Sequence, residues 1–143
     1  TQSPLGNFAK LATEQRQLKR RVPPLRYVRR PDSEIFMAFA REYTVPELSR
    51  TEVEALPGLT MLEFGAPWCG YCRRAEPLIV EALTTNPAIH HIKISDGSNR
   101  RLGRHFRVKL WPTLVFLEDG KEFARAVRPT DAETIRSVMM RTA

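Results

Sequence analysis

The chain has 143 residues, enough to bury one complete core. Its net charge of +7 is confined to one end: residues 1–31 hold Lys10, Arg16, Lys19, Arg20, Arg21, Arg26, Arg29 and Arg30 against Glu14 alone, and from residue 32 onward 15 basic side chains balance 15 acidic ones. The sequence has no apolar stretch long enough to span a bilayer, no signal-like apolar core, no nucleic-acid motif, no internal repeat and no low-complexity tract, so the basicity belongs to an extension and not to a catalytic or membrane-spanning unit.

That extension covers residues 1–40. Ser3-Pro4 can cap and start a helix with a weak apolar stripe of Leu5, Phe8, Leu11 and Leu18, and Pro23-Pro24 ends it. Ile35 to Phe39 is strongly apolar and is expected to pack on the following domain, as a helix or as the lead-in to its first strand. The basic run reads as a solvated arm, or as a docking arm for an acidic partner; nucleic-acid or membrane binding is the remaining reading, with Tyr27 the only aromatic residue between Lys19 and Arg30.

From residue 41 to 143 the pattern is that of one α/β domain. Tyr43-Thr44-Val45 reads as a short strand and Pro46 to Leu56 as a helix with proline at its start. Leu59, Met61, Leu62 and Phe64, between Pro57-Gly58 and Pro67, predict a buried strand. Cys72, Ala75, Ile79, Val80 and Leu83 then recur at three to four residues, one face of a helix. Ile89, Ile92 and Ile94 predict a strand and Asn99 to Phe106 a short helix. Thr113 to Leu117 and Glu122 to Val127 predict a hairpin about Glu118-Asp119-Gly120-Lys121. Thr130 or Asp131 caps a last helix whose apolar face is Ile135, Val138 and Met139. Strands that first alternate with helices and then form a hairpin predict an α/β fold with one antiparallel edge.

The only two cysteines stand in Trp68-Cys69-Gly70-Tyr71-Cys72, where the predicted strand gives way to the predicted helix. Such a C-x-x-C is the signature of thiol–disulfide exchange. Unpaired N–H groups and the positive end of the helix dipole favour the thiolate, which is the nucleophile. Arg73 and Arg74 add positive charge where the dipole alone disfavours it, which suits an anion held nearby; Arg73 is the candidate thiolate-stabilising residue. The alternatives are an inert disulfide, whose short loop staples little chain, a zinc site, and an iron–sulfur cluster bridging two chains. Zinc normally needs four ligands, and no metal-ligand spacing joins His90, His91 or His105 to the cysteines. No metal and no cofactor is expected. Glu63, in an apolar strand six residues before Cys69, is either an edge residue reaching solvent or a buried carboxyl that relays the proton Cys72 must lose; His91 or Lys93 on the neighbouring strand could meet it.

Leu62-Glu63-Phe64-x-Ala66-x-Trp68-Cys69-Gly70-x-Cys72, Pro77 in the following helix, Trp111-Pro112-Thr113, and Leu117-x-x-Gly120 at a hairpin together resemble the thioredoxin family, from about Tyr43 to the C-terminus. The resemblance implies a central mixed sheet flanked by helices and a cis peptide before Pro112 that sets the Trp111 backbone beside the cysteines to pair with an extended substrate. Trp68, Gly70, Tyr71, Trp111, Pro112 and Thr113 are then the substrate-binding set, and Cys69, Cys72 and Glu63 the catalytic one. Departures are as informative. Glu63 stands where the family usually has Asp, and Tyr71 where it has Pro, a change that also occurs in disulfide isomerases and makes the pair more oxidising. Gly65 replaces a bulky aromatic, Leu110 and Trp111 stand where the family tends to have small or aliphatic residues, and Arg128 stands near a glycine of the docking groove. The exchange chemistry looks intact and the recognition surface altered.

The expected function is a monomeric thiol–disulfide oxidoreductase, exchanging disulfides with protein substrates and a protein reductant or oxidant. The alternative is a non-catalytic redox-sensing or partner-binding module on the same fold. A cytoplasmic location is expected, with a periplasmic or exported one if a signal has been removed.

Overall fold

A buried strand, an amphipathic helix, a second strand and a closing hairpin give a four-stranded mixed sheet in the computed structural model of the chain, which describes residues 39–44 and 47–141. The expectations for the extension, from the helix at Ser3-Pro4 through Pro23-Pro24 to the apolar run ending at Phe39, fall outside the described residues except at Phe39 and Ala40; Val45 and Pro46 lie outside as well. The elements in order are α1 (Arg50–Glu54), β1 (Leu59–Gly65), α2 (Gly70–Thr84), β2 (His90–Ser95), α3 (Arg101–His105), β3 (Thr113–Glu118), β4 (Lys121–Val127) and α4 (Ala132–Met139). No helix among the described residues is long and apolar enough to cross a membrane.

The sheet runs β2-β1-β3-β4, with β1 parallel to β2 and the other pairs antiparallel. Central β1 is buried from Thr60 to Gly65, as a strand covered on both faces must be. Met61 faces Ala75, Ile79, Ala82 and Leu83 of α2 and Ile135 and Met139 of α4, with Leu114, Phe116 and Ala126 completing that core. Phe64 points the other way, its ring 5.6 Å from that of Phe106 at the end of α3. Helices therefore cover both faces, and the junction of β1 with α2 lies at the end of the central strand.

Two helices are shorter than their sequences suggested. The helix expected from Pro46 to Leu56 begins at Arg50, because Ser49 and Glu52 form a reciprocal capping box: the Ser49 side chain accepts the Glu52 N–H, and the Glu52 carboxylate accepts the Ser49 N–H at 2.7 Å. It stops at Glu54, ahead of Pro57. The helix expected from Asn99 to Phe106 spans Arg101 to His105, and Glu47 accepts the Leu102 N–H at 2.9 Å where the Arg100 cap position supplies no side chain of its own. The expected strand at Tyr43 is a single bridge to Lys93. The hairpin loop is narrower than expected: Asp119 (φ 48°) and Gly120 (φ 79°) alone join Glu118 to Lys121. Positive φ at both positions is what a two-residue hairpin loop with the native twist requires. The loop is locked in place, since the Asp119 side chain accepts the Gly58 N–H at 2.8 Å and Gly120 lies against the Glu54 backbone.

Gly120→Ala should consequently cost more than Gly58→Ala. Both sites have positive φ, at about 1–2 kcal/mol for a side chain there, but a Cβ at Gly58 meets open space while one at Gly120 runs into the Glu54 carbonyl. Urea midpoints are expected to fall for both variants and further for Gly120→Ala; equal midpoints contradict the packing of the hairpin on α1.

Candidate active site

The turn from β1 into α2 carries both cysteines. Cys69 is the N-cap of α2 (φ −75°, ψ 119°), and its sulfur accepts the Cys72 N–H at 3.3 Å, the bond an N-cap oxygen would ordinarily make. Both residues are free thiols. Both are also buried, Cys69 at 6% exposure and Cys72 at 4%. Their exposure does not tell them apart, because Trp111 and Ala66 pack on the pair. The thiols differ in their electrostatics instead. Burial raises the Cys69 pKa, but hydrogen bonds from the Cys72 thiol and from the Cys72 and Tyr71 backbone N–H groups, with the charge of Arg128, outweigh it and leave the pKa below that of a free thiol. Cys72 is pushed up to about 12, by burial first, then by its hydrogen bond to Cys69, the negative charge of the Cys69 thiolate and, least, that of Glu63.

Arg128 is a cation that contributes to the lowering of the Cys69 pKa; the expected one, Arg73, is exposed and donates its Nε–H to the Pro67 carbonyl at a long 3.4 Å. Arg128 has a non-glycine left-handed backbone (φ 46°), held in place by two bonds. Its N–H donates to the Pro112 carbonyl and its Nε–H to the Trp111 carbonyl, both at 2.9 Å.

Behind Cys72 lies a polar layer. A Cβ on Gly65 would come within 2.6 Å of the Cys72 sulfur and 3.3 Å of the Tyr43 hydroxyl, so these two groups occupy the space that a bulky side chain at this position would need. Tyr43 is itself pushed far above the usual phenol range by burial, Glu63 and the two cysteines. Glu63 is 1% exposed, which rules out the solvent-edge reading, and His91 Nε2 lies 2.7 Å from its carboxylate. His91 Nδ1 accepts the Ala40 N–H at 2.9 Å, and this partner assigns the ring proton to Nε2, where it donates to Glu63. Of the two candidates on β2, His91 therefore makes the hydrogen bond. Lys93, paired with Glu63 across the parallel ladder, places its ammonium over the rings of Tyr43 (4.8 Å) and Phe39 (5.8 Å).

The facing wall is the loop before β3. Its Trp111–Pro112 peptide is cis. The Trp111 indole donates to Asp96 at 2.9 Å and meets Trp68 edge-on at 5.4 Å. Trp68 (70% exposed), Gly70 and Tyr71 are open to solvent, and Trp111 is half-buried. Pro112 and Thr113 are buried, and the Thr113 hydroxyl donates to the Leu110 carbonyl at 2.6 Å, so that side chain supports the loop from beneath. The sequence-predicted residues thus converge on one site. Tyr43 and Asp96 were not foreseen. The small residue at Gly65 was the one hint of Tyr43, since the room it leaves must be filled from elsewhere; Asp96 carried no signal. Among the described residues no group of three or more His, Cys, Asp and Glu side chains could hold a metal ion.

Comparison with known proteins agrees with this architecture. The family model described as Thioredoxin matches residues 44–141. A thioredoxin of Chlamydia trachomatis is 31% identical over 78 residues, covering 54% of this chain and 76% of that protein. Protein disulfide-isomerase A3 of Gallus gallus is 34% identical over 104 residues, 69% of this chain but only 21% of that longer protein. Among solved structures, thioredoxin 2 from Pseudomonas aeruginosa PAO1 in its reduced form superposes with a TM-score of 0.61 at 48% identity, covering 66% of this chain and 88% of that one. With the C-x-x-C pair at the start of α2 and a family match across more than half its length, the chain belongs to the thioredoxin family and is a thiol–disulfide oxidoreductase.

Proposed function

We propose that Cys69 is the attacking thiolate and Cys72 the resolving thiol in the exchange of disulfides with protein substrates. The Cys69 thiolate attacks one sulfur of a substrate disulfide; a mixed disulfide forms and the other substrate sulfur leaves as a thiolate. Cys72 then loses its proton and attacks the Cys69 sulfur. The second substrate thiol is released, the Cys69–Cys72 disulfide forms, and two electrons have passed to the substrate. A protein reductant restores the dithiol, and an oxidant runs the cycle the other way.

The observation that carries this reading is the opposite displacement of two sulfurs three residues apart: Cys69 is lowered and Cys72 pushed up to about 12. The first is poised to attack, and the second stays protonated until a mixed disulfide removes the charge on Cys69. Glu63 is the proton acceptor in the second step. Its support is placement: it lies two residues before Gly65 on the same face of β1, and Gly65 backs on the Cys72 sulfur. The Tyr43 hydroxyl, which shares the space beside Gly65 with that sulfur, is the polar group through which the proton can pass. His91 fixes the carboxylate and is a positioning residue. Trp68, Gly70, Tyr71, Trp111 and Pro112 form the surface on which the substrate chain lies, with Thr113 bracing the loop.

Every group in this scheme comes from one chain, which supports action as a monomer. The charge confined to residues 1–31 supports recruitment of an acidic partner by the arm, and the use of both cysteines in the exchange motif supports a cytoplasmic setting.

Cys72→Ser should trap a covalent complex with a disulfide substrate on non-reducing gels, and Cys69→Ser should trap none; equal trapping by both overturns the assignment. Glu63→Gln should leave formation of the mixed disulfide close to wild type and slow its resolution by roughly 10²-fold, the lower end of what general base catalysis contributes. Stopped-flow traces in which both steps slow equally would instead indicate a structural role for the carboxylate.

A further inference from the structure

An open groove of about 580 Å³ runs along the start of α2, with Ala75, Leu78, Pro112 and Pro129 among its walls and Tyr71 and the two arginines Arg74 and Arg128 beside them. Both guanidinium groups converge on the half-exposed Tyr71 ring, Arg128 at 3.8 Å from its centroid and Arg74 at 4.7 Å. Two like charges brought to one ring repel each other, and a cation–π contact at an exposed site returns only about 0.5–1 kcal/mol. Arg128 cannot swing away freely, because its Nε–H and backbone N–H hold the Trp111 and Pro112 carbonyls.

Among the described residues no carboxylate neutralises the pair. Arg50, Arg125 and Arg136 each lie within 4.0 Å of a glutamate, but among the described residues neither Arg74 nor Arg128 has such a partner. The carboxylates adjacent in sequence to its lining are Glu76, which is not among the groove's walls, and Asp131, which is turned to cap α4 through the Thr134 N–H. Among the described residues no acidic one lines the groove. The site therefore joins an apolar lining to two guanidiniums with spare donors, beside the helix start that carries Cys69. Guanidinium is suited to a carboxylate, which it can bind with two parallel hydrogen bonds.

We propose that this groove selects the disulfide substrates of the protein: it takes the segment flanking the attacked cysteine, and Arg74 and Arg128 bind an aspartate or glutamate side chain on that segment. The substrate class is accordingly acidic disulfide peptides and proteins. The proposal rests on Cys69 being the attacking thiolate, since the groove adjoins it.

The test uses the reduced full chain and three disulfide-looped peptides that differ only in a Glu, Gln or Lys two residues from one cysteine. The second-order rate of reduction is expected to fall in the order Glu, Gln, Lys, with Glu over Gln by about threefold to tenfold at roughly 50 mM salt and shrinking toward one at roughly 0.5 M. Arg74→Glu should bring the Glu/Gln ratio to one or below, and Arg128→Gln should reduce it. The ratio is read within each variant, so an altered Cys69 reactivity scales both peptides alike and cancels. A wild-type ratio of one, or a ratio that survives both substitutions, overturns the proposal. Failure to reduce any peptide would instead strike at the assignment of Cys69.

Discussion

The sulfur of Cys69 is both the cap of α2 and the atom placed for chemistry, and the rest of the site is arranged around that double use. Accepting the Cys72 N–H at 3.3 Å satisfies one of the donors that every helix start leaves open. It does so with a group whose charged form is favoured by the same donors. Ser, Asp or Asn would cap the helix as well but could not exchange a disulfide. The contact depends on β1 ending at Gly65 and on the Ala66 carbonyl accepting the Cys69 N–H at 3.1 Å, which together fix where the helix begins. The electrostatic asymmetry of the two thiols follows. One sulfur receives hydrogen bonds from the helix start, while the other lies one turn deeper against buried negative charge.

That negative charge is held at some cost. A buried carboxylate is expensive unless its lone pairs are used, and here His91 donates to Glu63 while the Ala40 N–H fixes the His91 tautomer. Lys93 contributes a nearby cation resting on aromatic faces. A layer of polar groups under an otherwise apolar sheet face would not be chosen for stability alone, since apolar residues of similar volume are often as good or better. Its position behind Cys72 gives it a chemical reason. Gly65 is part of the same arrangement, because any side chain there would displace the Cys72 sulfur or the Tyr43 hydroxyl.

What could be read from the chain divides along the range of the interactions. The strand Leu59–Gly65, the helix from Gly70, the hairpin about Gly120 and the Asp131 cap are set by local periodicity and turn chemistry, and all were legible. The start of α1 differs from the expectation at Pro46, although Ser49 and Glu52 stand in the sequence at capping-box spacing. The contacts made across long sequence separations were not legible. Nothing in the sequence says that the Tyr43 hydroxyl and the Cys72 sulfur share the space beside Gly65, that Asp96 holds the Trp111 indole, or that Arg128 acts on Cys69. Strand alternation left His91 and Lys93 equivalent toward Glu63, because both sit on one face of β2 and only the tertiary position of Ala40 orients the histidine ring. The burial of Cys69 is likewise a long-range effect, since a helix N-terminus is open to solvent unless a neighbouring loop covers it, and here the loop at Trp111 does.

The difference between the two thiols can be measured directly. Cysteine labelled with ¹³C at Cβ and assigned site by site reports each ionisation in the reduced protein through its chemical shift. The Cys69 carbon should titrate below the range of a free thiol, about 8.5, and the Cys72 carbon should hold its protonated shift through neutral pH and move only toward about 12. Titration of both carbons together near the free-thiol value, or of Cys72 before Cys69, would contradict that difference.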